Sequence, residues 1–151
     1  MKHVTNGQKV GLGMEGSRLK TFMNMNVSNQ KNRTSKEIRF LIDTGFDGYL
    51  QLSKTDVEQL GLELIHKSSS TLANGSMVET GITTTKVKIL EEEISNFPIQ
   101  FTENAVPLIG TKFLGATNRM IVFDYEDKYV TLTRDKSLKE KIKLLVDENS
   151  K

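Results

Sequence analysis

Cysteine is absent from this 151-residue chain, which removes disulfide frameworks, thiolate metal sites and cysteine nucleophiles. That fits a reducing compartment, and a cytoplasmic location is the expectation. Histidine is scarce: a His-rich zinc site is excluded, and a Ser-His-Asp triad would have to use His3 or His66. The sequence offers neither metal ligands nor phosphate-binding loops, so no metal and no cofactor is expected. Apolar runs stay below membrane-spanning length, and the residues after Met1-Lys2 are polar where a signal peptide carries its apolar segment, so no membrane partner is expected. Lysine and arginine number 21 against 19 acids, interspersed along the chain, and no dense basic face points to nucleic acid.

What remains is the composition of one ordinary soluble domain, 36% hydrophobic and 26% charged. Residues 1–17 read as a loose Gly-rich arm with room for one short strand, 18–134 as the main domain, and 135–151 as a C-terminal helix and tail. Period-2 alternation through Leu19, Thr21, Met23, Met25 and Val27 predicts a half-buried strand. Residues 37–42 are a second strand, paired with the first across the polar turn 28–35. A short strand over 49–52 follows. Ser53 predicts a helix N-cap, with Asp56 three residues on, Val57 and Leu60 on one face, and Gly61 just past the end.

Residues 62–72 read as extended, Asn74-Gly75 as a hairpin turn, and 77–90 as a strand with a bulge at Gly81. A turn over 91–96 leads to a strand over 97–101. Leu108-Ile109-Gly110 is a short apolar strand, 111–116 one or two helical turns, and 119–125 with 128–133 a hairpin. Residues 137–146 predict a helix with Leu138, Ile142 and Leu145 on one stripe. Short strands separated by turn signals predict an all-β barrel or sandwich.

The chain is organised around Phe40-Leu41-Ile42-Asp43-Thr44-Gly45-Phe46-Asp47-Gly48. An apolar strand runs into a carboxylate, and a glycine two residues on lets backbone approach it closely. An acid in such a place is costly unless it is hydrogen-bonded, paired or in use. Asp43 is therefore the candidate reactive group. Read alone, it also fits a turn-forming Asp that caps its own backbone. Asp124, inside a predicted hairpin, reads as turn-supporting, and His66 as a solvated strand residue.

Three segments in order carry more than the bare Asp-Thr-Gly. FLIDTGFDGYLQLS is followed about thirty residues later by TLANGSMVETGITTTKVKI, and about thirty further on by PLIGTKFLG. This order resembles the retropepsin-like aspartic proteases over roughly 18–132. Phe46 after the triad resembles the prokaryotic clan AA branch that carries Asp-Thr-Gly-Phe. The resemblance implies a closed retropepsin-like barrel with one lobe per chain, the first segment being the active-site strand and loop, the second a flap and the third the strand and helix that close the lobe.

Hydrolysis of a peptide by carboxylates needs one ionised and one protonated acid around a water. Like charges at that range cannot both ionise easily, so the pair holds one proton. The ionised acid takes a proton from water, which attacks the amide carbonyl, and the protonated acid polarises that carbonyl. The chain has one Asp-Thr-Gly, no Asp-Ser-Gly, and is too short for two full lobes. A homodimer that contributes Asp43 twice resolves the count. The resemblance further implies that Thr44 braces the partner's loop and that Gly45 offers backbone to the acids and substrate. It implies that Asp47 contacts substrate, and that Ala73, Asn74 and Gly75 form the flap tip. Gly110 is the glycine that leads the closing helix. An arginine that would pair with Asp47 is replaced by Thr111, with Lys112 as a candidate substitute. The expected function is an aspartic endopeptidase acting on peptide or protein substrates. The alternative is a weak or inactive dimeric peptide-binding module on the same fold.

Overall fold

The computed structural model describes residues 8–15, 18–71, 73–89, 92–127, 129–134 and 136–150. Alternation organises its core. Strand β2 (Arg18–Asn29) buries Met23, Met25 and Val27, and β3 (Thr34–Ile42) buries Ile38, Phe40 and Ile42. The two pair antiparallel from Phe22↔Leu41 to Asn29↔Thr34, so the turn between them is tighter than the eight residues expected. Strand β4 (Leu50–Ser53) buries Leu50 and Leu52. Helix α1 (Lys54–Gln59) follows, and the Ser53 side chain accepts from the Asp56 N–H as its cap. Gly61 stands at φ 65 just past its end, in the left-handed region where an L side chain is strained.

Strands β5 (His66–Thr71) and β6 (Met77–Ile89) form the hairpin with Asn74-Gly75 at its turn. Strand β7 (Glu92–Thr102) returns along β6 and lies parallel to β4. Strand β8 (Leu108–Ile109) leads into helix α2 (Thr111–Ala116), and β9 (Met120–Asp124) pairs with β10 (Tyr129–Thr133). In the turn between these last two, Asp124 accepts from the Asp127 N–H, the supporting role expected of it. Helix α3 (Lys136–Asn149) ends the described chain and is somewhat longer than predicted.

The sheet order is β5-β6-β7-β4-β8-β3-β2-β1-β10-β9, where β1 is Gln8–Glu15. A further pairing of β6 with β2, through Val27↔Val87, joins β2, β3, β8, β4, β7 and β6 into a ring around the core. Phe97 sits inside it, edge-on to Tyr49 and to Phe113 at centroid distances of 5.4 and 5.0 Å. The molecule is all-β with a C-terminal helix, as expected.

Three local expectations are corrected. The arm is not loose where it is described: β1 pairs with β2 and, across most of the chain's length, with β10. Residues 1–7, 16 and 17, His3 among them, lie outside the described residues. Of the turn placed over 91–96, residues 92–96 are strand, because Glu92 and Glu93 pair with Ile89 and Lys88, and residue 91 lies outside the described residues. The bulge is not at Gly81. It lies on β7, where the register slips between Thr85↔Phe97 and Val87↔Ile94 and Asn96 takes φ 55. Gly81 has another reason to be glycine: a Cβ there would lie 2.3 Å from the Phe101 ring.

The ring's outer wall is tied by charge. Glu92 accepts from Arg119 at 2.9 Å and lies 3.1 Å from Arg134, while Arg134 also donates to the Thr117 carbonyl at the end of α2. The Arg119 side chain is 6% exposed. Its hydrogen bond holds the Glu92 carboxyl below the ordinary carboxylate value; the Arg134 charge adds to this and desolvation opposes it. A carboxyl depressed in the folded state contributes stability above its unfolded pKa, and that contribution is lost as pH falls below about 4.5. Glu92→Gln is expected to lower stability at pH 7 by about 2 kcal/mol, since it leaves a buried guanidinium without its counter-charge. Thermal melts should show Tm lower by about 4–8 °C at pH 7, with the gap from wild type closing below pH 4.

Candidate active site

The site is built by threading β8 between β3 and β4. β8 runs parallel to β3 through Leu41↔Leu108 and Ile42↔Ile109, and antiparallel to β4 through Leu50↔Ile109. Residues 43–49, which join β3 to β4, must therefore loop over the end of β8. The Asp43 N–H donates to the Ile109 carbonyl at 3.0 Å, so the acid begins where the buried strand ends.

The loop then hangs from the start of α2. A helix leaves its first N–H groups without partners in the helix itself. Here the Thr111 N–H donates to the Phe46 carbonyl at 2.9 Å and the Lys112 N–H to the Gly48 carbonyl at 3.2 Å. The Gly110 N–H donates to the Tyr49 carbonyl at 2.8 Å. Gly110 supplies no side-chain cap, and the loop carbonyls do that work. Contact is close enough that a Cβ on Gly110 would lie 2.1 Å from the Gly48 carbonyl oxygen and 2.7 Å from that of Phe46.

Asp43 is half-buried, and Thr44 and Gly45 after it are exposed. Asp43 Oδ1 accepts from the Gly45 N–H at 2.9 Å, and a Cβ on Gly45 would stand 3.2 Å from that oxygen. The carboxylate is thus oriented by backbone, with its other oxygen free of hydrogen bonds among the described residues. The Thr44 hydroxyl likewise has no intrachain hydrogen bond among them. Asp47 is exposed, and among the described residues no ion pair joins it to Lys112, so Lys112 does not replace the missing arginine through its side chain.

The turn of the β5–β6 hairpin is orderly and exposed. Asn74 Oδ1 accepts from both the N–H and the hydroxyl of Ser76, and Gly75 takes φ 81. Ala73, Asn74 and Gly75 are exposed, and Met77 beside them is 71% exposed. Asp43, Thr44, Gly45, Asp47 and Gly110 are thus gathered in one knot of loop and helix. The tip residues stand on a separate hairpin, with no hydrogen bond to that knot among the described residues.

Two positioning residues escape a reading of the sequence. Phe46 is one: its carbonyl takes the Thr111 N–H, and its ring lies where side chains on Gly48 and Gly110 would go. Thr111 is the other, since its backbone and its hydroxyl both reach Phe46 O, the hydroxyl at 3.4 Å. The glycines at 48 and 110 were the available signal, because glycine at two facing positions marks a close approach.

A family model described as aspartyl protease matches residues 24–117. The span runs from β2 through Asp43 and the β5–β6 hairpin to the C-cap of α2. No match is found among curated protein sequences. Among solved structures, the chain is similar to a retropepsin-like aspartic protease from Rickettsia conorii, with a TM-score of 0.57 and 20% identity over 84% of this chain and 89% of that one. It is also similar to the EIAV protease complexed with the inhibitor HBY-793, with a TM-score of 0.52 and 18% identity over 73% of this chain and 99% of that one. The fold is retropepsin-like, and the chain belongs to the aspartyl protease family.

Proposed function

We propose that the chain is an aspartic endopeptidase whose active form is a homodimer, with a water held between two Asp43 carboxylates. The observation that carries this is the placement of Asp43: an oriented carboxylate on a rigidly held loop, followed by an exposed Thr44 and Gly45. Paired about a two-fold axis, one Asp43 stays ionised and takes a proton from the water, and the other stays protonated and polarises the scissile carbonyl. The hydroxyl of Thr44 then has a natural acceptor in the partner's loop. The β5–β6 hairpin covers an extended peptide bound through main-chain hydrogen bonds, and its closure excludes water.

Activity in this scheme needs two chains. At dilutions below the dimer dissociation constant, the initial rate on a diverse peptide mixture is expected to rise with the square of protein concentration, and sedimentation should show a monomer–dimer equilibrium over the same range. A rate linear in concentration from a species of monomer mass would overturn the proposal.

One observation favours a second reading, in which the same dimer binds peptides with negligible turnover. Asp47 has no cationic partner among the described residues, so the loop lacks a brace that the family resemblance leads one to expect. Thermal stabilisation by ordinary peptides without any cleavage product would support that reading.

A further inference from the structure

Helix α3 buries none of its residues. Leu138, Ile142, Leu145 and Asn149 follow one another at spacings of four, three and four, which aligns them along one side of the helix, and Val146 widens that stripe. Ile142, Leu145 and Val146 are 42, 59 and 58% exposed. Charge is unevenly spread as well. Lys136, Lys139, Lys141 and Lys143 lie in the first part of the helix with one acid, Glu140, among them, and Asp147 and Glu148 lie in the last. No acid lies in its first turn and no base in its last. This is the reverse of what the helix dipole favours, so an isolated α3 is charged against its own field.

We infer that α3 is a docking surface for the α3 of a second copy, packed antiparallel, so that each helix supplies the complement the other lacks. The inference rests on the homodimer proposed above, because one chain carries only one Asp43. With the seam at Leu138, Ile142, Leu145 and Asn149, antiparallel packing sets Ile142 against the partner's Leu145. It brings Lys141, flanking the seam, alongside the partner's Glu148, and the two-fold axis repeats both contacts. The basic start of each helix then lies along the acidic end of the other, and the two dipoles oppose. A parallel pair would set the basic ends side by side.

A helix of fourteen residues is about 21 Å long, and two of them bury less than a stable dimer needs alone. The α3 pair therefore adds to contacts made around the Asp43 loops. It is linked to them: Arg134, two residues before α3, donates to the Thr117 carbonyl that closes α2, and the start of α2 holds the Asp43 loop. The partner contact so assigned is helical, carried by residues beyond the matched span 24–117.

The test is a charge exchange measured by sedimentation equilibrium, with far-UV circular dichroism to check the fold. Lys141→Glu and Glu148→Lys are each expected to raise the dimer dissociation constant about tenfold, since each creates two like-charge contacts by symmetry. The double variant K141E/E148K restores the pairs and should return the constant to near that of wild type. Ile142→Asp should raise it about a hundredfold. A wild-type dimer indifferent to all four variants overturns the α3 contact and leaves the homodimer standing. Binding of α3 to anionic vesicles, with the dimer constant unmoved by the exchange, also overturns it. A wild-type protein that stays monomeric at every concentration overturns both.

Discussion

Asp43→Asn is expected to reduce peptide hydrolysis by about a thousandfold or more while leaving the fold intact. The side chain is half-buried and its Oδ1 accepts from the Gly45 N–H, a bond the asparagine amide oxygen can also accept. What the variant loses is the ability to hold or share a proton, which is the whole of the chemistry in a site with two acids and a water. The dimer should not weaken, because two amides facing each other lack the repulsion of two carboxylates. A second consequence separates a shared site from one complete in a single chain. If subunits exchange, a ninefold excess of Asp43→Asn protein leaves only about one tenth of wild-type chains paired with another wild-type chain, and activity should fall accordingly. Unchanged activity after exchange would mean that each chain works alone, and cleavage by Asp43→Asn at the wild-type rate would place the chemistry elsewhere.

Gly110→Ala is expected to be strongly damaging, because the added methyl group meets backbone rather than side chain. The new carbon would meet the Gly48 carbonyl oxygen at 2.1 Å and the Phe46 carbonyl oxygen at 2.7 Å. Both are backbone atoms already engaged by the N–H groups of Lys112 and Thr111, so relief requires moving the loop that carries Asp43. Overpacking of this kind costs about 3 kcal/mol, or roughly 6–12 °C in Tm. Activity should fall further than stability explains, because a displacement of the order of 1 Å in a catalytic group is itself expensive. Gly115→Ala is the control. It lies in α2, nothing stands within 4 Å of its added carbon, and Ala there should stabilise by about 0.5–1 kcal/mol. Gly81→Ala is intermediate, since the Phe101 ring it would strike is a side chain that can turn away. Thermal melts of the three variants, with kcat and KM measured alongside, would rank them. Equal effects at 110 and 115 would refute the account of the loop.

The features legible in the sequence were those in which chemistry is local. Ser53 and Asp56 announced a helix start, Asn74-Gly75 a hairpin, and alternation through Met23, Met25 and Val27 a strand with one buried face. Ile42-Asp43-Thr44-Gly45 stood out because an acid at the end of an apolar run needs a reason. What stayed hidden depends on partners far away in the chain. The bulge was placed at Gly81 because glycine often marks one, yet a slip of register is decided by both strands, and it fell at Asn96 on the other. Glu92 and Glu93 looked like a turn because acids are uncommon in strands. Arg119, Arg134 and Lys86, supplied from elsewhere, are what make them acceptable there. The Gly-rich arm looked loose because its partner strand, β10, lies more than a hundred residues away. The first turn of α2 gave no capping signal, since its caps are carbonyls of the Asp43 loop.

Ile109 of β8 and the first turn of α2 hold the acid and its loop in place, and they arrive late. Asp43 is made early in synthesis, but the Ile109 carbonyl and the Thr111 and Lys112 amides that fix its loop are made some sixty-five residues afterwards. Closing so long an interval carries an entropic cost that must be met before any contact rewards it. A nascent chain therefore presents Asp43 on an unanchored loop while the β5–β6 hairpin is already in reach of folding locally. The site assembles only once the segment through α2 has emerged and threaded between β3 and β4. Until then the loop that carries Asp43 lacks the carbonyl and the amides that fix it.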